Sequence, residues 1–281
     1  MTDFGRKNDE DLPETVADSV LAAPLVRYAA KSPGQYVSAK NEPAFVLTTW
    51  PWRETSLIVS LFTRRHGRIT AVARGAKRPA GRFRGLIDPF LPLLVSFSGR
   101  TEVKTLTGAR WMGGLLPITG EGLLTAFYLN ELVFRLSPPE VAQTELFDAY
   151  TRTLTMIARG NFEDTECAMR EFEVDLLRLC GWGQQLTDES EGFIGLVRDG
   201  EIIEAYDTNV QDRERLYSPE AVRAVLMRDF SDASVLKEAR DLLKEIIEFY
   251  ALGGRMLSSR RTVTRWRQFS RLKSHDRTDC L

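Results

Sequence analysis

AFVLTTWPWRETSLIVSLFTRRHGRITAVAR, residues 44–74, decides the fold. Val, Ile, Leu, Thr and aromatic residues come here in short runs separated by turn formers, which is the signature of strands. AFVLTTW reads as a first strand that Pro51 ends, since proline cannot donate to a ladder. ETSLIVSLFT and HGRITAVAR read as two more strands, joined as a hairpin with His66-Gly67 in the tight turn. RGAKRPAGRFRG, residues 74–85, follows as a connection, being too rich in glycine and cations for the interior of an element. FLPLLVSFSG and TEVKTLTGARWM then make a second hairpin across Ser98-Gly99. Five strands in ~75 residues predict a small closed barrel, because closure removes the edges such a sheet would expose. An OB-fold is the leading candidate.

Beyond Pro117 the apolar period becomes helical. Leu123, Leu124, Phe127, Tyr128, Glu131, Leu132 and Arg135 fit one helix, ended by Ser137-Pro138-Pro139. Further helices are expected over 140–158, from 163 to Gly181, from the Ser218-Pro219-Glu220 start, and over 234–252. A small hairpin over 193–206 turns at Asp199-Gly200. The expected architecture is α+β. It has a disordered arm over 1–42, an OB barrel over 43–118, a mainly helical domain with a small hairpin over 119–270, and a basic flexible tail over 271–281.

The length of 281 residues with 43% hydrophobic and 27% charged residues suits an ordinary globular protein and excludes collagen, coiled coil and bulk disorder. No apolar run reaches the ~18 residues of a membrane span. The first residues, MTDFGRKNDEDLPE, lack the apolar stretch of a signal peptide, so a cytoplasmic protein is expected. Cys167, Cys180 and Cys280 with His66 and His275 build neither a disulfide framework nor a zinc ribbon.

The net charge of −1 conceals a division. Residues 43–118 hold 12 Lys+Arg against 3 Asp+Glu, whereas 119–281 hold 21 against 29. Within the basic part, Arg64, Arg65, Arg68, Arg74, Lys77, Arg78, Arg82 and Arg84 come with no carboxylate between them. A solvated surface normally mixes signs, so this run points to a polyanion. Single-stranded nucleic acid is held by cationic grooves and aromatic faces. Phe83 between two arginines, and Trp50 and Trp52 beside Arg53, are candidate stacking residues, with core or rim packing as the plain alternative. Arginine suits bidentate phosphate contact, and no base-reading helix is evident. Seven cations between Arg255 and Lys273 are either a second phosphate contact or a soluble tail.

Catalytic patterns are wanting: there is no phosphate-binding G-x-x-x-x-G-K-[ST], no G-x-S-x-G and no H-E-x-x-H. Glu166, Glu171, Glu173 and Asp175 raise the idea of a metal-dependent nuclease, but at 100° per residue Asp175 points to the other side of a helix from Glu166 and Glu173. Sequence physics therefore supports a phosphate-binding barrel with a helical module. An RNA-binding OB protein remains the alternative to a DNA-binding one.

Six segments in order, PWRETSLIVSLFT, RGAKRPAGRFRG with LIDPFLPLLVSF, GRTEVKTL, YLNELVFRL, FEVDLLRLCGWG and GGRMLSSR, resemble the bacterial RecO recombination-mediator family over residues 43–269. The resemblance implies an OB barrel before a helical domain and no enzymatic turnover. It also implies binding of single- and double-stranded DNA, annealing of complementary strands, and cooperation with RecR in loading RecA onto DNA coated by single-stranded DNA-binding protein. Arg170 matches a basic position associated with docking that coating protein's acidic tail. Many relatives carry four zinc-binding cysteines after the segment matching GWGQQL. Thr187-Asp188-Glu189-Ser190 stand there instead, so neither zinc nor any other cofactor is expected.

Overall fold

The computed structural model describes residues 36–181, 194–198, 201–205 and 216–252. The arm over 1–35, the Thr187-to-Ser190 stretch, the cations from Arg255 to Lys273 and the tail over 271–281 lie outside the described residues.

Five strands, β1 (Val37–Trp52), β2 (Ser56–Thr63), β3 (Gly67–Ala73), β4 (Leu93–Gly99) and β5 (Val103–Trp111), close into a barrel of order β1-β2-β3-β5-β4. Both expected hairpins are present, and β3 runs parallel to β5, which completes an OB topology. Strand alternation sends Val46, Val59, Leu61, Ile69, Ala71, Val95, Phe97 and Leu106 inward as the barrel core. Two bounds differ from expectation. β1 starts at Val37, so residues 37–42 belong to the barrel and pair with β4 rather than to the arm. It also runs through Pro51, which lies opposite Leu57 near the strand's exposed end, where a missing donor is tolerated.

Among the described residues five helices follow, here numbered α1 (Glu121–Leu136), α2 (Thr144–Arg159), α3 (Phe162–Leu179), α4 (Pro219–Met227) and α5 (Leu236–Leu252). Asn161 caps α3 by accepting from the Glu163 amide, and Ser218 caps α4 by accepting from the Ala221 amide, with Pro219 at the first helical position. A three-stranded sheet of β6 (Ile194–Arg198), β7 (Glu201–Ala205) and β8 (Leu216–Tyr217) contains the expected small hairpin. Cys180 is buried, which pushes its thiol up to about 11.

Of the periodic residues that mark α1 in the sequence, Tyr128 and Leu132 are buried. Ala126, Leu129, Val133 and Leu136 are buried as well, while Leu123 and Phe127 are exposed and Glu131 pairs with Arg135. The reason is that α1 lies between the barrel and the other helices, so it buries a broad flank on both sides.

That position makes one core of two modules. Phe45, Leu47 and Phe62 leave the outer face of β1 and β2 and pack with Phe147 and Tyr150 of α2. Buried Asn130 of α1 donates to the carbonyls of Val46 and Leu47 at 3.2 and 3.0 Å, where β1 carries an irregularity, and accepts from the Tyr150 hydroxyl. The α1–α2 connection crosses the start of β3. There the Glu140 amide donates to the Arg68 carbonyl at 2.9 Å, and the Glu140 carboxylate accepts from buried Lys104 at 2.6 Å. Among the described residues no helix is long and apolar enough to cross a membrane.

Candidate nucleic-acid interface

The run of eight cations is divided by β3. Arg64, Arg65 and Arg68 lie at its start, while Arg74, Lys77, Arg78, Arg82 and Arg84 follow its end. A seven-residue strand separates the two groups by about 20 Å.

The first group is engaged in the fold, although Arg64 and Arg65 keep 42% and 62% of their side chains exposed. Arg64 makes a bidentate pair with Asp148 of α2 at 3.0 and 2.9 Å, and that hydrogen bond raises its pKa. Arg65 grips the fully buried Glu42 carboxylate through its side chain at 2.8 Å and its amide at 2.7 Å. Arg68 is itself buried, donates to the Ser137 carbonyl at 3.3 Å and lies over the Phe134 ring at 5.2 Å. Burial pushes its guanidinium down to about 10. These three arginines tie the barrel's turn and β1 to the helices.

The second group is exposed, and none of the five forms an ion pair among the described residues. Their loop is a chain of turns, closed by amide-to-carbonyl bonds from Arg78 to Gly75, Gly81 to Arg78, Arg84 to Gly81 and Leu86 to Phe83. The Lys77 amide reaches the Thr55 carbonyl at 2.9 Å and so fastens the loop to the β1–β2 turn. Gly81 is required at its place, since a side-chain carbon there would sit 2.4 Å from the Gly75 carbonyl oxygen. The result is a compact turn structure that presents five cations to solvent at one end of the barrel.

Phe83 is a correction. Its ring is 1% exposed and plugs the barrel core, with Arg82 over it at 4.7 Å, so no base can stack on it. Trp50 packs on Phe134 of α1, with ring centres 5.7 Å apart. Trp52 keeps partial exposure with Arg53 over its ring. One exposed pair at the same barrel end, Arg110 and Trp111, was not singled out from sequence, although an Arg-Trp-Met close to a strand is a readable signal.

Arg170 is a correction as well. It is buried in α3 and clasps the fully buried Glu173 through Nε at 2.8 Å, while Tyr128 donates to the same carboxylate at 2.6 Å. A guanidinium in that position cannot receive an incoming tail. The four carboxylates of the nuclease idea are each spoken for: Glu166 faces Arg170 and Arg240, Glu171 and Asp175 bind Arg228, and Glu173 holds Arg170. A cleft between α2, α3 and Arg228 at the end of α4 is lined by Arg152, Arg178 and Arg228 together with Glu145, Asp148 and Asp175.

Comparison with known proteins fits this two-module plan. Residues 38–115 match the family model described as Recombination protein O N terminal, and residues 119–199 match Recombination protein O C terminal. The chain is 40% identical to DNA repair protein RecO of Aromatoleum aromaticum over 232 residues, covering 79% of this chain and 94% of that protein. It is 43% identical to DNA repair protein RecO of Ralstonia nicotianae over 217 residues, covering 77% and 73% of the two chains. It is 38% identical to the Burkholderia orbicola protein of the same name over 231 residues, covering 79% and 81%. A barrel with OB topology joined to a helical module, matched in order by both halves of one family, places this chain in the RecO family of DNA repair proteins.

Proposed function

We propose that the protein binds DNA through the loop over 74–86 and brings complementary strands together. The observation that carries this reading is five exposed cations on one compact loop with no carboxylate partner among the described residues. A phosphate chain laid on the loop releases its counterions, which is the dominant sequence-independent source of affinity. The outer face of β1 and β2 at Phe45 and Phe62 is covered by helices, whereas the loop end of the barrel is open to a nucleotide chain. Neutralising phosphates on two strands removes the repulsion between them, and annealing then requires no chemical step. Single and double strands both present the phosphates that this electrostatic contact needs.

Family membership supports extending this role to recombination mediation: cooperation with RecR and the loading of RecA onto DNA covered by single-stranded DNA-binding protein.

The test is affinity against salt concentration. Replacing Lys77, Arg78, Arg82 and Arg84 with alanine is expected to weaken DNA binding and flatten the log–log salt slope on single strands by up to about 0.7 for each lost phosphate contact. Arg64→Ala is expected to leave the slope unchanged, because that charge is neutralised by Asp148. A slope unaltered in the fourfold variant removes the loop from the contact.

A further inference from the structure

Trp111 is 61% exposed at the end of β5, between exposed Arg110 and Met112. Large aromatic side chains are rarely left so open unless something covers them. The barrel's topology puts this ring beside the cationic loop. β5 runs parallel to β3 and antiparallel to β4, with Val72 opposite Thr105 and Leu93 opposite Trp111. The end of β5, the end of β3 and the start of β4 therefore share one end of the barrel, and the loop over 74–92 connects the last two around the first. The last paired residues of β3 and β5 are Val72 and Thr105, so β5 runs on for six more residues to Trp111 past the point where the cationic loop begins. The Met112 amide donates to the Pro92 carbonyl at 2.8 Å, which holds the segment carrying Trp111 against the end of that same loop.

Phosphate contacts alone do not distinguish a single strand from a duplex. An unstacked base distinguishes them, because it offers its face only when its partner strand is absent. Phe83 cannot serve this purpose, as its ring is inside the barrel. We propose that Trp111 is the base-stacking platform of this interface and that it gives the protein a preference for unpaired DNA. Charge complementarity picks the occupant: the open ring follows exposed Arg110 and shares its barrel end with the five cations of the loop, which suits a nucleotide strand. The inference rests on the loop over 74–86 binding DNA and adds to it the form of DNA preferred.

The experiment titrates the full-length protein, Trp111→Ala and Trp111→Phe with fluorescein-labelled oligo-dT and with a duplex of the same length, at several salt concentrations. Trp111→Ala is expected to lose between about 5-fold and about 100-fold in affinity for oligo-dT, with the salt slope unchanged and duplex affinity within twofold. Trp111→Phe is expected to retain most of the single-strand affinity, which a purely structural role at an exposed site would not require. Equal losses on both DNAs, or no loss on either, overturn the assignment. A lowered melting temperature with oligo-dT affinity intact also overturns it, since the ring would then be covered by the protein's own chain. Failure of the unsubstituted protein to bind either DNA overturns the loop's role itself.

Discussion

The pair Arg170–Glu173 sets a sharp contrast between a charge that holds the fold and one that faces a ligand. Glu173 is fully buried and has Arg170 and the Tyr128 hydroxyl as partners. Removing one member of such a pair strands the other in low dielectric, which typically costs ~3–5 kcal/mol. Arg170→Ala is therefore expected to lower the urea midpoint by that equivalent, whereas Arg78→Ala, on the exposed loop, is expected to change stability by less than ~0.5 kcal/mol. An Arg170→Ala variant with an unchanged midpoint would return Arg170 to the candidate ligand contacts. The same contrast explains why sequence could not sort the eight cations. Arg64 finds Asp148, 84 residues away, and Arg68 finds Ser137, 69 residues away, so their engagement is a product of tertiary folding. Local composition carries the charge of a guanidinium but not the identity of what lies opposite it.

Hairpins were legible because their information is local: alternation, a short turn and a glycine at the right place specify β2–β3 and β4–β5 within a few residues. The helix caps at Ser218 and Pro219 were legible for the same reason. The first six residues of β1 were not, since NEP and its neighbours become strand only by pairing with β4 more than 50 positions later. The packing faces of α1 were not legible either, because a helix between two modules has no single apolar stripe. Gly67 belongs to both kinds of information. Its φ of +66° serves the β2–β3 turn, but its missing side chain also admits the Val141 carbonyl oxygen, which would lie 1.9 Å from an added carbon. Gly67→Ala should cost about 1–3 kcal/mol for the left-handed conformation and more for displacing the α1–α2 connection. Gly85→Ala is the control, with φ of +68° and nothing within 4 Å, and should cost the conformational part alone. Thermal midpoints of the two variants measure the difference, and equal shifts would remove the proposed close approach.

At the scale of the molecule, the charge division and the shared core act in opposite ways. Residues 43–118 carry 12 Lys+Arg against 3 Asp+Glu and the remainder of the chain is net acidic, so the two modules attract each other while the distal barrel end keeps five exposed cations for a partner. Packing joins them more strongly. The barrel's outer residues Phe45, Leu47 and Phe62 lie in one cluster with Leu132, Phe147, Tyr150 and Phe172 from three helices. Neither module can leave without exposing that cluster and stranding the Val46 and Leu47 carbonyls that Asn130 serves. Unfolding should accordingly be a single transition, with tryptophan fluorescence, to which Trp50 and Trp52 of the barrel contribute, and far-ultraviolet dichroism, dominated by the helices, giving coincident urea curves. Asn130→Leu should displace both curves together, by about 1–3 kcal/mol for each polar group left without its partner. Separate midpoints, or a displacement confined to one probe, would mean that the barrel stands without its helices and that the arginines at the start of β3 do not fasten the two parts.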